Sequence, residues 1–191
     1  MTDAPLSRRH FVGAVATGIA ATWISGAWRD RVAGASGGPA AAGPRALSPA
    51  AARDLDAVTA LIIPTDDTPG AREARVVDFI DRGLSTFAAD QRPLFEQGLA
   101  DLGARAARRR PDARAFADLG PEEQTALLRE LETEHSEFFE AVRVSTISGF
   151  LADPHYGGNA NKVGWQVIGF EDRFAWQPPF GYYDRDASPD R

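Results

Sequence analysis

The chain has 191 residues, of which 43% are hydrophobic and 25% are charged, the composition of an ordinary globular domain. Its formal net charge of -6 argues against nucleic acid as a partner, because an acidic surface repels the phosphate backbone. It contains no cysteine, which excludes disulfides, iron–sulfur clusters, covalently attached haem and thiol catalysis.

Residues 1–35 predict an export signal. Arg8 and Arg9 are adjacent and Phe11 follows them, which is the pattern of the twin-arginine route. An uncharged, mildly apolar stretch comes next, and the small residues at 33–35 offer a cleavage site. We therefore expect export to the periplasm. An uncleaved signal that tethers the protein and an anchoring helix with two chance arginines are the alternatives.

The export route carries information about the cargo. Twin-arginine export moves folded proteins and serves those whose cofactor is inserted before export. This sequence contains no dinucleotide-binding glycine motif, no phosphate-binding loop and no cysteine pair. We therefore expect the cofactor to belong to a partner that travels with this chain.

Helices dominate the next part of the chain. Residues 36–47, rich in Gly, Ala and Pro, predict a flexible leader. Ser48 before a proline predicts a helix start, and Pro64 predicts the end of that helix. Apolar residues at helical spacing predict a second helix from about residue 71 that includes Phe87.

Further along, a third helix is expected near Pro93, and one or two long amphipathic helices follow Pro121. No segment between residues 48 and 151 alternates like a strand. The sequence thus predicts an all-α fold, an irregular helical bundle of about five helices over residues 48–151.

Residues 152–191 differ in character, because turn residues are followed by aromatic residues and prolines. We expect a turn-rich, extended segment that lies either on the protein's own bundle or on a partner. Aromatic anchors are favoured at interfaces. The predicted partner-interface residues are His155, Tyr156, Asn159, Trp165, Phe170, Phe174, Trp176, Phe180, Tyr182 and Tyr183.

Three blocks, in this order, carry a resemblance to a known family. They are residues 62–71 running on into 76–81, the Phe138-Phe139 helix ending at Gly149-Phe150, and residues 153–159 with Gly164-Trp165 and 168–170. They resemble the gluconate 2-dehydrogenase subunit 3 family, and the third block is the most specific. Together with the twin-arginine leader, the resemblance covers about residues 5–183.

The resemblance implies the small subunit of a bacterial sugar or sugar-acid dehydrogenase complex. In such complexes a large FAD-containing subunit of the glucose–methanol–choline type performs the oxidation, and a cytochrome c subunit often passes the electrons onward. The small subunit carries the export signal for the flavoprotein and helps it mature. No catalytic residues are assigned to the family, so none are expected here, and FAD is expected in the partner. Membrane contact is expected only through the signal or the complex.

Other clusters could support a small stand-alone metalloenzyme. Glu132 and His135 have a metal-binding spacing, but a di-iron bundle needs two such motifs. The spacing instead predicts that His135 is a hydrogen-bonded core histidine. Asp66 and Asp67 could bind a cation, although loop carboxylates more often cap a helix or close an Asx-turn.

A carbohydrate-binding module is the remaining alternative. Trp165 and Trp176 could stack on sugar rings, although buried packing and interface anchoring are the commoner uses of tryptophan. His155, next to Tyr156 and close to Asn159, is expected to fix a loop that contacts the partner.

Overall fold

The computed structural model describes residues 45–173 together with Ala175. These residues form six α-helices and no strand, so the predicted all-α fold is confirmed. The helices are α1 (Pro49–Ile62), α2 (Val76–Ser85), α3 (Arg92–Arg109), α4 (Pro121–Thr133), α5 (Glu137–Leu151) and α6 (Val163–Ile168). The predicted export motif Arg8, Arg9 and Phe11, the leader up to residue 44, and the tail residues Phe174, Trp176, Phe180, Tyr182 and Tyr183 lie outside the described residues.

Side-chain caps begin three of these helices. Ser48 Oγ accepts a hydrogen bond from Ala51 N at 3.2 Å, with a proline in the first turn of α1. A carboxylate oxygen of Glu123 accepts from Gly120 N at 2.9 Å at the start of α4. Ser136 Oγ accepts from Phe139 N at 3.4 Å at the start of α5. The helix starts predicted at Ser48 and Pro121 are therefore correct.

Helix α2 begins later than predicted. Residues 71–75 form turns, and Arg75 adopts the left-handed conformation with φ 55° before the helix starts at Val76. The apolar residues that predicted this helix include Val76, Ile80 and Leu84, which do lie within α2, so the helix is confirmed and its predicted start is wrong. Phe87 lies beyond the end of α2 but still packs against the core.

The prediction for His135 is wrong. His135 is exposed, with φ 53°, in the turn between α4 and α5, and its backbone N–H donates to Glu132 O at 3.1 Å. The left-handed residue ends α4 and reverses the chain, so the imidazole points away from the apolar stripe. Glu132 and His135 therefore do not share a helix face.

The core lies around α5, which packs against each of the other five helices. Fully buried apolar side chains come from every long helix, and they include Leu55, Val58, Val76, Phe95, Leu102, Leu127 and Val142. Phe95 of α3 meets Phe138 of α5 edge to face, with ring centroids 5.9 Å apart. None of the helices within the described part of the chain is long and apolar enough to cross a membrane.

Candidate partner-binding surface

Residues 152–170, here called the capping segment, fold back over the end of α5. Asp153 Oδ1 accepts from His155 N at 2.9 Å and starts a short 3-10 turn at Pro154–Tyr156. A second 3-10 turn, Ala160–Lys162, leads into α6. The prediction of an extended segment is wrong for residues 163–168, which are helical. Proline is absent from this stretch, and Gly169 ends the helix with φ 72°.

Asn159 holds the capping segment together. Its side chain is 0% exposed. Asn159 Nδ2 donates to Ala152 O at 2.9 Å, and Oδ1 accepts from Gly164 N at 2.8 Å. Both backbone groups are thereby satisfied inside the protein. The prediction that Asn159 faces a partner is therefore wrong, because its side chain is enclosed and bonded at both ends.

Two glycines allow the close approach between the capping segment and α5. A Cβ atom at Gly158 would overlap the carbonyl oxygen of Gly149, and one at Gly164 would overlap that of Phe150. Trp165 Nε1 then donates to Leu151 O at 2.8 Å. Carbonyls at a helix end have no partner within the helix. The segment supplies such partners and is an integral part of the fold.

Helix α2 anchors the other side of the segment. Arg82 Nη1 donates to His155 O at 2.7 Å, and Ala160 N donates to Ala74 O at 3.0 Å. The half-buried rings of His155 and Tyr156 meet edge to face, with centroids 5.4 Å apart. Tyr156 also packs against the core. These two predicted interface residues are brought together, and their main contacts support the loop.

The residue next to Arg82 anchors the segment that precedes α1. Asp81 Oδ1 accepts from Ala46 N at 2.9 Å and from Leu47 N at 2.8 Å. Leu47 is 7% exposed and belongs to the core. The chain that precedes α1 is therefore fixed to α2 up to this point. Sequence reasoning missed this role of Asp81, which has no local sequence signal.

An apolar patch faces outward from α6. Ile168 is 47% exposed and Phe170 is 46% exposed, and they are the exposed large hydrophobic residues of the described chain. The Phe170 ring rests on the half-buried Trp165, with centroids 5.1 Å apart. We call Trp165, Ile168 and Phe170 the α6 patch. The prediction had named Trp165 and Phe170 but had missed Ile168.

Strained backbone precedes the patch. Asn161 has φ 55° and Lys162 has φ 60°, so two successive non-glycine residues are left-handed. Asparagine tolerates this region. A lysine there costs of order 1–3 kcal/mol and persists only where the surroundings impose the conformation. Lys162 forms an ion pair with Asp172, and its ammonium lies 5.9 Å from the centre of the Trp165 ring.

The Asp66 loop is a closed turn. Asp66 Oδ1 accepts from Thr68 N at 2.9 Å and from Thr68 Oγ1 at 3.0 Å, as expected for a carboxylate that closes an Asx-turn. In the part of the chain that the structure covers, no three His, Asp or Glu side chains come together in a way that could hold a metal ion.

The same loop yields a pH-dependent prediction. Thr65 Oγ1 donates to Glu73 Oε2 at 2.7 Å, and Gly70 N donates to the same atom at 2.8 Å. These hydrogen bonds, that from Thr65 above all, lower the pKa of the Glu73 carboxyl below its usual value. The stability that Glu73 contributes is therefore present above its unfolded-state pKa and is lost as the pH falls through the lower folded-state pKa.

We expect Glu73→Gln to reduce the urea midpoint near neutral pH and to have a smaller effect in acid, below both pKa values. Urea titrations of the variant and the wild type across this range test the expectation. An equal reduction at both ends of the range would contradict it.

A family model described as Gluconate 2-dehydrogenase subunit 3 matches residues 49–172. The match runs from the first residue of α1, through the whole bundle and the capping segment, to two residues beyond Phe170. No curated protein and no solved structure matches the chain.

Proposed function

The chain belongs to the gluconate 2-dehydrogenase subunit 3 family, and on that premise we propose that it is a non-catalytic small subunit. It binds a large FAD-dependent dehydrogenase subunit of the glucose–methanol–choline type, which oxidises a sugar or a sugar acid. It stabilises this flavoprotein and takes it across the membrane. A cytochrome c subunit is the further expected member of the complex.

The arrangement of the capping segment supports this proposal. Its polar Asn159 is buried and bonded to the backbone, and Gly158 and Gly164 serve close packing. It exposes the polar side chains of Asp153, Asn161, Lys162 and Gln166 and also two large apolar ones, Ile168 and Phe170. Catalysis needs a nucleophile, a base and a group that orients the base. A segment that exposes two large apolar side chains next to each other is suited to association.

The predicted export signal supports the escort role. Arg8, Arg9 and Phe11 match the twin-arginine pattern, while the sequence contains none of the dinucleotide-binding or phosphate-binding motifs sought. We propose that FAD is bound in the partner, and that the folded holo-flavoprotein travels to the periplasm on the signal of this chain. Activity of the flavoprotein then depends on this chain, although the chain performs no chemistry.

Co-expression with and without this chain tests the proposal. We expect active flavoprotein to accumulate in the periplasm only when the small subunit is present. The measurement is dye-linked dehydrogenase activity in periplasmic and cytoplasmic fractions. Equal periplasmic activity in both strains would overturn the proposed function.

Exchange of Arg8 and Arg9 for lysine gives a second prediction. The charge is preserved while the twin-arginine pattern is lost, so we expect both subunits to stay in the cytoplasm as an assembled complex. Immunoblots of cell fractions and a pull-down from the cytoplasm check this. The matched control is Arg53→Lys, an exposed arginine on α1. Export of the flavoprotein by the double lysine variant at the wild-type level would contradict the escort role.

A further inference from the structure

The α6 patch has the anatomy of an interface centre. Ile168 and Phe170 are both nearly half exposed, at 47% and 46%, whereas the other large apolar side chains of residues 45–173 are buried or half-buried. Burial of apolar surface drives most protein–protein association. Protein interfaces also concentrate aromatic residues at a centre from which charged side chains are depleted.

The charged residues that flank this centre in the chain are paired among themselves. Lys162 forms an ion pair with Asp172, and Arg173 forms one with Glu171. These four flanking residues, here called the rim, carry two positive and two negative charges, which balance. A neutral rim around an apolar centre matches an apolar pocket with an uncharged border. An anionic lipid surface is a poor match, because it selects basic segments and the net charge of the whole chain is -6.

Hydrogen bonds to the bundle hold the backbone on which the patch is built. Trp165, itself part of the patch, donates a hydrogen bond to Leu151 O, and the neighbouring Gly164 donates one to Asn159 Oδ1. Asn161 and Lys162 have left-handed backbones and exposed side chains. Burial of these side chains therefore does not explain their unusual backbone conformation. Strain of this kind clusters at ligand clamps and other functional sites. A pre-organised anchor loses less conformational entropy on binding.

We propose that the α6 patch is the anchor by which this chain docks into an apolar pocket on the large flavoprotein subunit. The inference rests on the proposed function and specifies where the two subunits meet. Two exposed side chains are too few for a stable interface, which buries about 800 Å² on each partner. The chain continues from the patch into residues 174–191, where Phe174, Trp176, Phe180, Tyr182 and Tyr183 supply further aromatic area.

Titration of the full chain onto the immobilised flavoprotein subunit tests the anchor. We expect Ile168→Ser/Phe170→Ser to raise the Kd about tenfold or more, because central apolar residues carry most of the binding energy. Ile168→Ser alone leaves the contact between Trp165 and Phe170 intact and is expected to give an intermediate loss. Gln97→Ser, at an exposed position on α3, is the control and should leave the Kd unchanged. Thermal melts of all variants should match the wild type.

The outcomes separate the two proposals. If the wild-type chain does not bind the flavoprotein, the proposed function itself fails. If the wild type binds, and Ile168→Ser and Ile168→Ser/Phe170→Ser bind with the wild-type Kd, the anchor is refuted while the proposed function stands.

Salt dependence and truncation give independent tests of the same anchor. Raising the salt from about 0.1 M to about 1 M shortens the screening length from about 10 Å to 3 Å. The Kd should change little, because the rim is neutral, and a large increase would contradict an apolar pocket. Deletion of residues 174–191 should raise the Kd above that of the full-length wild-type chain.

Other occupants of the patch would overturn the proposal. Tighter binding after deletion of residues 174–191 would show that the tail of this chain covers the patch. Self-association that the serine variants abolish, with capture of the flavoprotein unchanged, would identify a second copy as the occupant. Binding to phosphatidylserine vesicles that depends on Phe170 would assign the patch to a membrane.

Discussion

Replacement of Gly164 by alanine is expected to lower the free energy of unfolding by about 3 kcal/mol, at the upper end of the range for overpacked sites. The added Cβ would overlap Phe150 O and would lie 3.1 Å from Asn159 Oδ1. The helix end cannot move, because Phe150 is 3% exposed and packed in the core. Gly164 must therefore shift, and the hydrogen bond from its N–H to Asn159 weakens with it.

Gly103→Ala is the matched control for this prediction. Gly103 lies inside α3, and a Cβ atom built there meets nothing within 4 Å. Alanine at an open helical position is expected to stabilise the protein by about 0.5–1 kcal/mol, because glycine has the lower helix propensity. Urea unfolding followed by circular dichroism measures both variants. The account of the capping segment is contradicted if Gly164→Ala is as stable as the wild type.

Asn159→Ala is expected to have an effect of similar size, about 3 kcal/mol, because it leaves one buried and one partly buried backbone group without the partner that Asn159 supplies. Gly164 N loses its acceptor and Ala152 O loses a donor. Alanine at φ 47° is also strained more than asparagine, which tolerates the left-handed region. We therefore expect the capping segment to detach before the bundle unfolds.

Asn159→Gly separates these contributions. Glycine removes the same hydrogen bonds but accepts the backbone conformation, so it should be more stable than the alanine variant by about 1 kcal/mol. Hydrogen exchange of the Gly164 amide reports the opening of the segment directly. Protection of this amide at the wild-type level in Asn159→Ala would contradict the role assigned to Asn159.

Gly164→Ala and Asn159→Ala should also affect binding to the flavoprotein. They leave the side chains of Trp165, Ile168 and Phe170 unchanged but loosen the platform that presents them. If the patch works as a pre-organised anchor, both variants should bind the flavoprotein more weakly than the wild type.

The helices could be predicted where local chemistry sets their limits. Ser48, Pro64 and Pro121 act through capping, a missing N–H or steric exclusion, which are properties of a few neighbouring residues. The turn before Val76 was missed because it depends on distant contacts, such as the bond from Ala71 N to Ile63 O at 2.8 Å. His135 was missed for a related reason, since neither glycine nor proline marks the turn in which it lies.

The candidate surface was predicted less completely than the fold. The aromatic character of Trp165 and Phe170 indicated an interface and can be read from the sequence. An asparagine among turn residues looks the same in the sequence whether its side chain faces solvent or forms hydrogen bonds to a buried helix end. Asn159 could be assigned only from the position of the α5 terminus, which tertiary packing determines. Ile168 could have been found as the last apolar residue before a helix-ending glycine.

The central claim is that this chain works by binding a flavoprotein, and size-exclusion chromatography with mass detection tests it most directly. The two subunits are co-expressed, purified through a tag on the flavoprotein alone, and followed by absorbance of the flavin. We expect one peak in which both chains co-elute in a constant ratio, with a mass equal to their sum or a multiple of it. Elution of the flavin-containing chain at its own mass, with the small subunit absent from its peak, would contradict the account.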